Sequence, residues 1–189
     1  MNIIVQTYGS NLCYCRPDTT WERENKDFYS PESINKLSFT PILFARICKA
    51  GKCIGLKFAE RYYDSIGYGM LMYAENFIDI GPEGLAVASC IDHSSILPSP
   101  MYNRIVLDGQ DNHYIIKANE SILFDYSEGS TKMIEKAISN ASSLISLRIG
   151  DYIAIELSKR NDIEEIIGTE TIIEGVFCNN PVFGFKIIR

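Results

Sequence analysis

Only one stretch of this 189-residue chain repeats its apolar residues with the period of an α-helix. Over residues 129–145, Met133, Ile134, Ala137, Ile138 and Ala141 share one face, while Lys132, Glu135, Lys136, Ser139 and Asn140 fall elsewhere. A helix with one apolar face must lie on another layer, and the rest of the chain supplies mainly short apolar runs divided by turn residues. These runs predict strands at 1–6, 68–73, 85–89, 121–124, 152–157, 171–177 and 182–188, the last two joined through Asn179-Asn180-Pro181. Ala50-Gly51-Lys52 between 41–45 and 53–58, and Asp108-Gly109 between 102–107 and 113–117, read as hairpin turns. Short helices are expected at 30–36, after Ser30-Pro31, and at 58–65. The pattern is that of an α+β chain, mostly β.

Length and composition suit one domain over 1–189, with 1–38 as an irregular N-terminal segment and 8–26 as loop. Hydrophobic residues make up 46% and charged residues 22%, ordinary for a globular protein. The net charge of −6, with no continuous basic run interleaved with aromatics, argues against nucleic-acid binding. The first residues carry no basic leader before a long apolar run, and no apolar stretch has spanning length, so the expectation is a cytoplasmic protein without a membrane partner. Cys13, Cys15, Cys48, Cys53, Cys90 and Cys178 follow no C-x-x-C spacing and are expected as free thiols.

Several short motifs, in order, resemble the fumarylacetoacetate hydrolase family. Residues 147–154, Leu-Arg-Ile-Gly-Asp-Tyr-Ile-Ala, look like its "L-x-P-G-D-x-I" entry to the last part of the fold. Ile66-Gly67-Tyr68-Gly69 resembles its "G-Y" strand, and Pro41 to Arg46 its "P-x-x-F-x-K" strand. The closing segment carries Gly175 at a family glycine and Asn180-Pro181 at the last turn. The resemblance, over about residues 39–189, implies a β-roll of packed mixed sheets with one main amphipathic helix, commonly assembled as a homodimer.

The resemblance also implies chemistry that these residues do not repeat. Active relatives use a divalent ion, held by a Glu-x-Glu pair on one strand and a later Asp, as a Lewis acid on small keto acids and acylpyruvates. Alignment of 54–59 with the strand bearing the pair puts Cys53 and Gly55 at the glutamates and Tyr73 at the Asp, so these three would line a pocket at the former metal site. A thiol, a glycine and a phenol do not supply the charged oxygens that a hard cation needs.

Among remaining acids and bases, Glu75 is expected to point the same way as Tyr73 in an extended segment, and it heads the candidate catalytic residues with Asp92 and His93. Asp92-His93-Ser94-Ser95 reads first as a turn, because catalytic triads are assembled from residues distant in sequence. Glu60 and Asp64, spaced for one helix face, read as solvated charges beside Arg61. The expectation is thus a noncatalytic homodimeric binding or scaffold protein, with a small-molecule ligand and no cofactor. One alternative is a hydrolase, isomerase or decarboxylase with a rebuilt site using magnesium or manganese; another is a metal-free small-molecule sensor.

Overall fold

A computed structural model describes residues 1–109, 112–163 and 170–188. The N-terminal third contributes β1 (Ile3–Gln6), β2 (Cys13–Arg16), β3 (Trp21–Glu22), β4 (Phe28–Tyr29) and the long β5 (Leu37–Ile47). After a 3-10 turn at Leu56–Arg61 come β6 (Tyr63–Ala74), α1 (Glu75–Ile78), α2 (Gly84–Ala88) and β7 (Ser95–Ile96). The remainder is β8 (Tyr114–Ala118), β9 (Ser121–Tyr126), α3 (Thr131–Leu144), β10 (Tyr152–Glu156), β11 (Asn161–Asp162), β12 (Glu170–Phe177) and β13 (Asn180–Ile188).

These strands form two sheets. The larger runs β2-β1-β10-β5-β6-β7-β3, with β11 also pairing β5, and the smaller runs β4-β13-β12-β8-β9. The larger sheet mixes parallel and antiparallel pairs and is buried on both faces: ten of the eleven β5 residues are buried. Alternation then sorts side chains between two cores. Ile4, Leu43, Tyr68, Met70, Met72 and Ile153 face the main core, which also holds Ile134, Ala137, Ile138 and Ala141 of α3 and Ile116, Phe177 and Phe185 of the smaller sheet. Ile3, Val5, Ile42, Phe44, Leu71, Tyr73, Tyr152 and Ala154 make a second core on the opposite face.

The predicted α3 and the strands at 1–6, 68–73, 121–124, 152–157, 171–177 and 182–188 are present, with shifted ends. Local turn signals account for the differences. Residues 53–58 enter the 3-10 turn, not a strand, because Cys53 has φ +52 and its N–H is taken by Ser142 O of α3. Residues 58–65 divide between that turn and β6. Arg104–Asp108 is likewise 3-10, opened by Asn103, whose side chain accepts the Ile105 N–H; the hairpin lies instead between β8 and β9. Asn119 (φ +45) and Glu120 (φ +72) make its turn, the positive-φ pair that right-twisted hairpins favour. The pair at Cys178 (φ +50) and Asn179 (φ +61) does the same between β12 and β13.

Residues 85–88 fall in α2, with Ser89 as its C-cap, and not in a strand, and 30–36 contain a turn but no helix. The segment read as loop at 8–26 contains β2 and β3. All six cysteines are free.

Two glycines are required for different reasons. Gly69 lies where β6 meets β7, and a Cβ there would sit 2.0 Å from Ile96 O. Gly150 has open space around it but φ +88, and the next residue's buried carboxylate fixes the turn by accepting the Asn2 and Arg148 N–H groups, each at 2.8 Å. Replacement of Gly150 by Val meets backbone strain of about 1–2 kcal/mol, whereas Gly69→Ala forces two strands apart and costs about 3 kcal/mol or more. Both variants therefore lose stability in denaturant titration, Gly69→Ala the more; an unchanged Gly150→Val would contradict the turn.

Candidate functional site

The second face of the larger sheet becomes polar at one end. Along β5, Ser38 and Thr40 continue the row of Ile42 and Phe44, and the antiparallel register sets Ser38 opposite Tyr73 of β6. On β10, Glu156 continues the row of Tyr152 and Ala154, while Tyr14 on β2 packs against the same core. Strand periodicity and register alone thus bring Tyr14, Ser38, Thr40, Tyr73 and Glu156 together.

Their hydroxyls are ordered by two carboxylates. Tyr73 Oη donates to Glu156 Oε1 at 2.5 Å and accepts from Tyr14 Oη at 2.7 Å. The Tyr8 N–H reaches the other carboxylate oxygen of Glu156 at 3.0 Å. Ser38 Oγ donates to Glu75 Oε2, which also accepts from Arg160 Nε at 3.0 Å. Glu75 opens α1, so helix geometry, and not strand alternation, directs its side chain across β5. Glu75, Glu156, Lys159 and Arg160 line one cavity of about 350 Å³ together with Tyr8 and Tyr14.

Two guanidinium groups flank Tyr73, with carbons 5.0 Å (Arg16) and 5.8 Å (Arg160) from its ring centroid, within cation–π range. Arg16 is fully buried. Its Nε donates to Ser89 O at 2.8 Å, and its Nη2 donates to Met72 O at 2.8 Å and Ser94 Oγ at 2.7 Å. Its Nη1 has no hydrogen-bond partner among the described residues. A buried cation held mainly by neutral oxygens adds positive potential beside the cavity.

Burial raises the Tyr73 hydroxyl pKa well above its ordinary 10.0, and desolvation moves Tyr14 up to about 12, against the opposing pull of Arg16. Both are therefore neutral phenols near pH 7. Ser38, Thr40 and Tyr73 thus present neutral oxygens at the point where β5 and β6 converge, and the two nearby carboxylates already accept protein donors. Among the described residues, no three His, Cys, Asp or Glu side chains are grouped to share an ion. This donor set does not fit a hard divalent ion, which needs several charged oxygens free to converge.

Cys53 and Gly55 do not join Tyr73. They follow the far end of β5, where Ile47 pairs with Tyr63, whereas Tyr73 pairs nine positions away, a separation of roughly 30 Å along a strand. Asp92 and His93 line a different cavity, of about 430 Å³, with Cys90 and Phe77. His93, at φ +58, directs Nδ1 to the buried Glu22 carboxylate at 2.9 Å. Glu60 and Asp64 are separated as well: Asp64 lies on β6 in a two-point contact with Arg46, and Glu60 approaches Arg104.

Ser38, Thr40, Tyr14, Arg16, Glu156 and Arg160 escaped the sequence reading. The one local sign was Ser38-Phe39-Thr40, two hydroxyl residues sharing a face at the head of an apolar strand.

Because the fold favours the protonated phenols of Tyr14 and Tyr73, their contribution to stability is complete below about pH 10 and declines as pH rises toward 12. Tyr14→Phe removes one of these groups, so its stability falls less steeply across that window. Equal slopes in alkaline denaturation would contradict this placement.

No family sequence profile matches the chain, and no curated protein matches it by sequence. Solved structures do. Fumarylpyruvate hydrolase from Pseudomonas aeruginosa, in complex with Mn2+ and pyruvate, superposes with a TM-score of 0.79 at 14% identity, covering 100% of this chain and 89% of that one. The 5-carboxymethyl-2-hydroxymuconate delta-isomerase from Mycobacterium smegmatis gives 0.80 at 12% identity, over 100% and 78%. A proposed fumarylacetoacetate hydrolase family protein from Yersinia pestis CO92 gives 0.79 at 11% identity, over 99% and 92%. The sheet order, the α3 packing and these superpositions establish that the chain has the fold of the fumarylacetoacetate hydrolase family.

Proposed function

We propose that this protein is a noncatalytic relative of the hydrolases and isomerases that share its fold, a homodimeric binding or scaffold protein that needs no metal. The observation that carries the reading is the Tyr14–Tyr73–Glu156 chain beside the Ser38–Glu75–Arg160 contact. Three neutral hydroxyls occupy the convergence of β5 and β6, and the acids within reach are held by protein donors. Without a hard cation to stabilise it, an enolate formed from a 1,3-dicarbonyl compound has no equivalent electrophile there. The cavity over this point carries two acids and two cations, a lining suited to a small polar ligand.

One observation favours a second reading, an enzyme with a rebuilt site acting on a small keto acid: Glu75 and Glu156 open on the same cavity. Two carboxylates could hold an ion if their present donors let go.

One pair of measurements separates the two. Calorimetry with magnesium and manganese should give no stoichiometric binding, and acylpyruvate hydrolysis should stay at background. Stoichiometric metal with chelator-sensitive turnover would overturn the noncatalytic reading. The combined change Ser38→Glu, Thr40→Glu and Tyr73→Asp, which puts charged oxygens at the strand convergence, should raise magnesium affinity by at least about tenfold. Light scattering should give twice the 21.3 kDa chain mass; a monomer at micromolar concentration would remove the dimer from the proposal.

A further inference from the structure

The 3-10 turn at Leu56–Arg61 lies within a loop whose ends are joined by the Cys48 N–H to Tyr62 O bond at 2.9 Å. The loop packs against α3 and the segment beyond it: Cys53 N–H donates to Ser142 O, and Gly51 bridges Leu147 in both directions. The Gly51–Leu147 bridge and the Gly150 N–H to Ile47 O bond bring Arg148 and Ile149 beside the Lys49 end of this loop, and the 3-10 turn that carries Lys57 and Arg61 packs on α3 next to it.

The charge here runs against the rest of the molecule. The chain has 24 acidic and 18 basic residues, yet the loop carries four cations and one acid, Glu60, which faces Arg104. Elsewhere Arg23, Lys26, Lys36, Arg46, Arg104, Arg160 and Lys186 each lie within ion-pair distance of a carboxylate. Among the described residues, Lys49, Lys52, Lys57, Arg61 and Arg148 have no such carboxylate; Arg16, Lys117, Lys132, Lys136 and Lys159 have none either, but they are spread over other elements, whereas these five belong to one loop and the segment docked on it. Lys57 and Arg61 instead lie 4.9 and 5.4 Å from the Phe58 ring centroid.

Apolar side chains stand among these cations: Ile149 is 72% exposed, Leu144 63%, Leu56 56% and Phe58 42%. They project from a loop and the end of a helix and line neither of the cavities described above. In water that exposure is unfavourable, and adding unpaired positive charge to it defines one kind of complementary surface. The geometry points to peripheral docking of this face on an anionic phospholipid surface.

Leu56, Leu144 and Ile149 would enter the boundary between headgroups and acyl chains, with the lysine and arginine stems lying along them and their charged ends on lipid phosphates. Nucleic acid fits less well, because aliphatic side chains offer bases no stacking platform and the two aromatic rings, Phe58 and Tyr62, are already approached by cations of the loop itself. No helix among the described residues is long and apolar enough to cross a membrane, so attachment of this kind is superficial and reversible. The inference is independent of the proposed ligand cavity, which lies near the opposite end of the β5–β6 pair.

Sedimentation of the full chain with phosphatidylcholine vesicles, with and without phosphatidylserine, tests it. Expected is at least about tenfold tighter binding to the phosphatidylserine vesicles, weakened by salt. Lys52→Glu with Lys57→Glu should lose about tenfold or more, and Leu56→Ser with Ile149→Ser several-fold, all with unchanged melting. Equal binding to both vesicles, or none, would overturn the proposal. Tighter binding of a polyglutamate peptide or an RNA oligonucleotide would assign the face to another class of partner and overturn it too. So would conversion of a dimer to a monomer by the lysine changes, since the face would then join two copies of the chain.

Discussion

The eleven-residue β5 ladder against β6 is the constraint on which the larger sheet depends. With both faces buried over all of β5 except Arg46, its apolar side chains divide between one core and the other, and a slip of one position would exchange the two sets. Leu43 and Tyr68, paired across the ladder, face the main core under α3 and the smaller sheet, whereas Phe44 faces the second core. The same register places Ser38 opposite Tyr73. The polar end of the second core is therefore a direct continuation of its hydrophobic rows.

A buried sheet tolerates polar side chains only where each finds a partner. Ser38, Thr40 and Tyr73 are completely buried, and their hydroxyls are satisfied through Glu75 and Glu156, which reach them from α1 and β10. Arg16, the largest fully buried side chain, donates to Ser89, Met72 and Ser94, and so ties β2 to β6 and to the segment after α2. This arrangement makes the site part of the packing. Its members hold one another in place, with two guanidinium groups near the Tyr73 ring, that of the exposed Arg160 and that of the buried Arg16, whose field is poorly screened.

Legibility in the sequence followed the range of the interaction. The Gly150-Asp151 turn could be read locally, because a positive-φ glycine and a carboxylate collecting nearby N–H groups work within a few residues. Asp108-Gly109 misled for a complementary reason: Asn103 caps a 3-10 turn five residues earlier, and the chain reserves its hairpin for Asn119-Glu120. The placement of Cys53 and Gly55 beside Tyr73 failed because that pairing depends on which strand lies next to β6. β5 takes that place, and residues 53–55 are held at its other end by Ser142.

By itself the sequence determined the amphipathic α3, the alternation of β12 and β13, the predominance of β structure and the order of motifs shared with the fumarylacetoacetate hydrolase fold. The first three rest on periodicity or turn chemistry that acts over a few residues, and the last on resemblance to that family. Only the tertiary structure decided that Ser38 meets Tyr73, that Glu156 crosses 83 positions to accept its hydroxyl, and that Arg148 joins the cations of residues 49–61. Those contacts arise from strand register and the docking of a loop on α3, and long-range packing selects among arrangements that the local sequence leaves equally available.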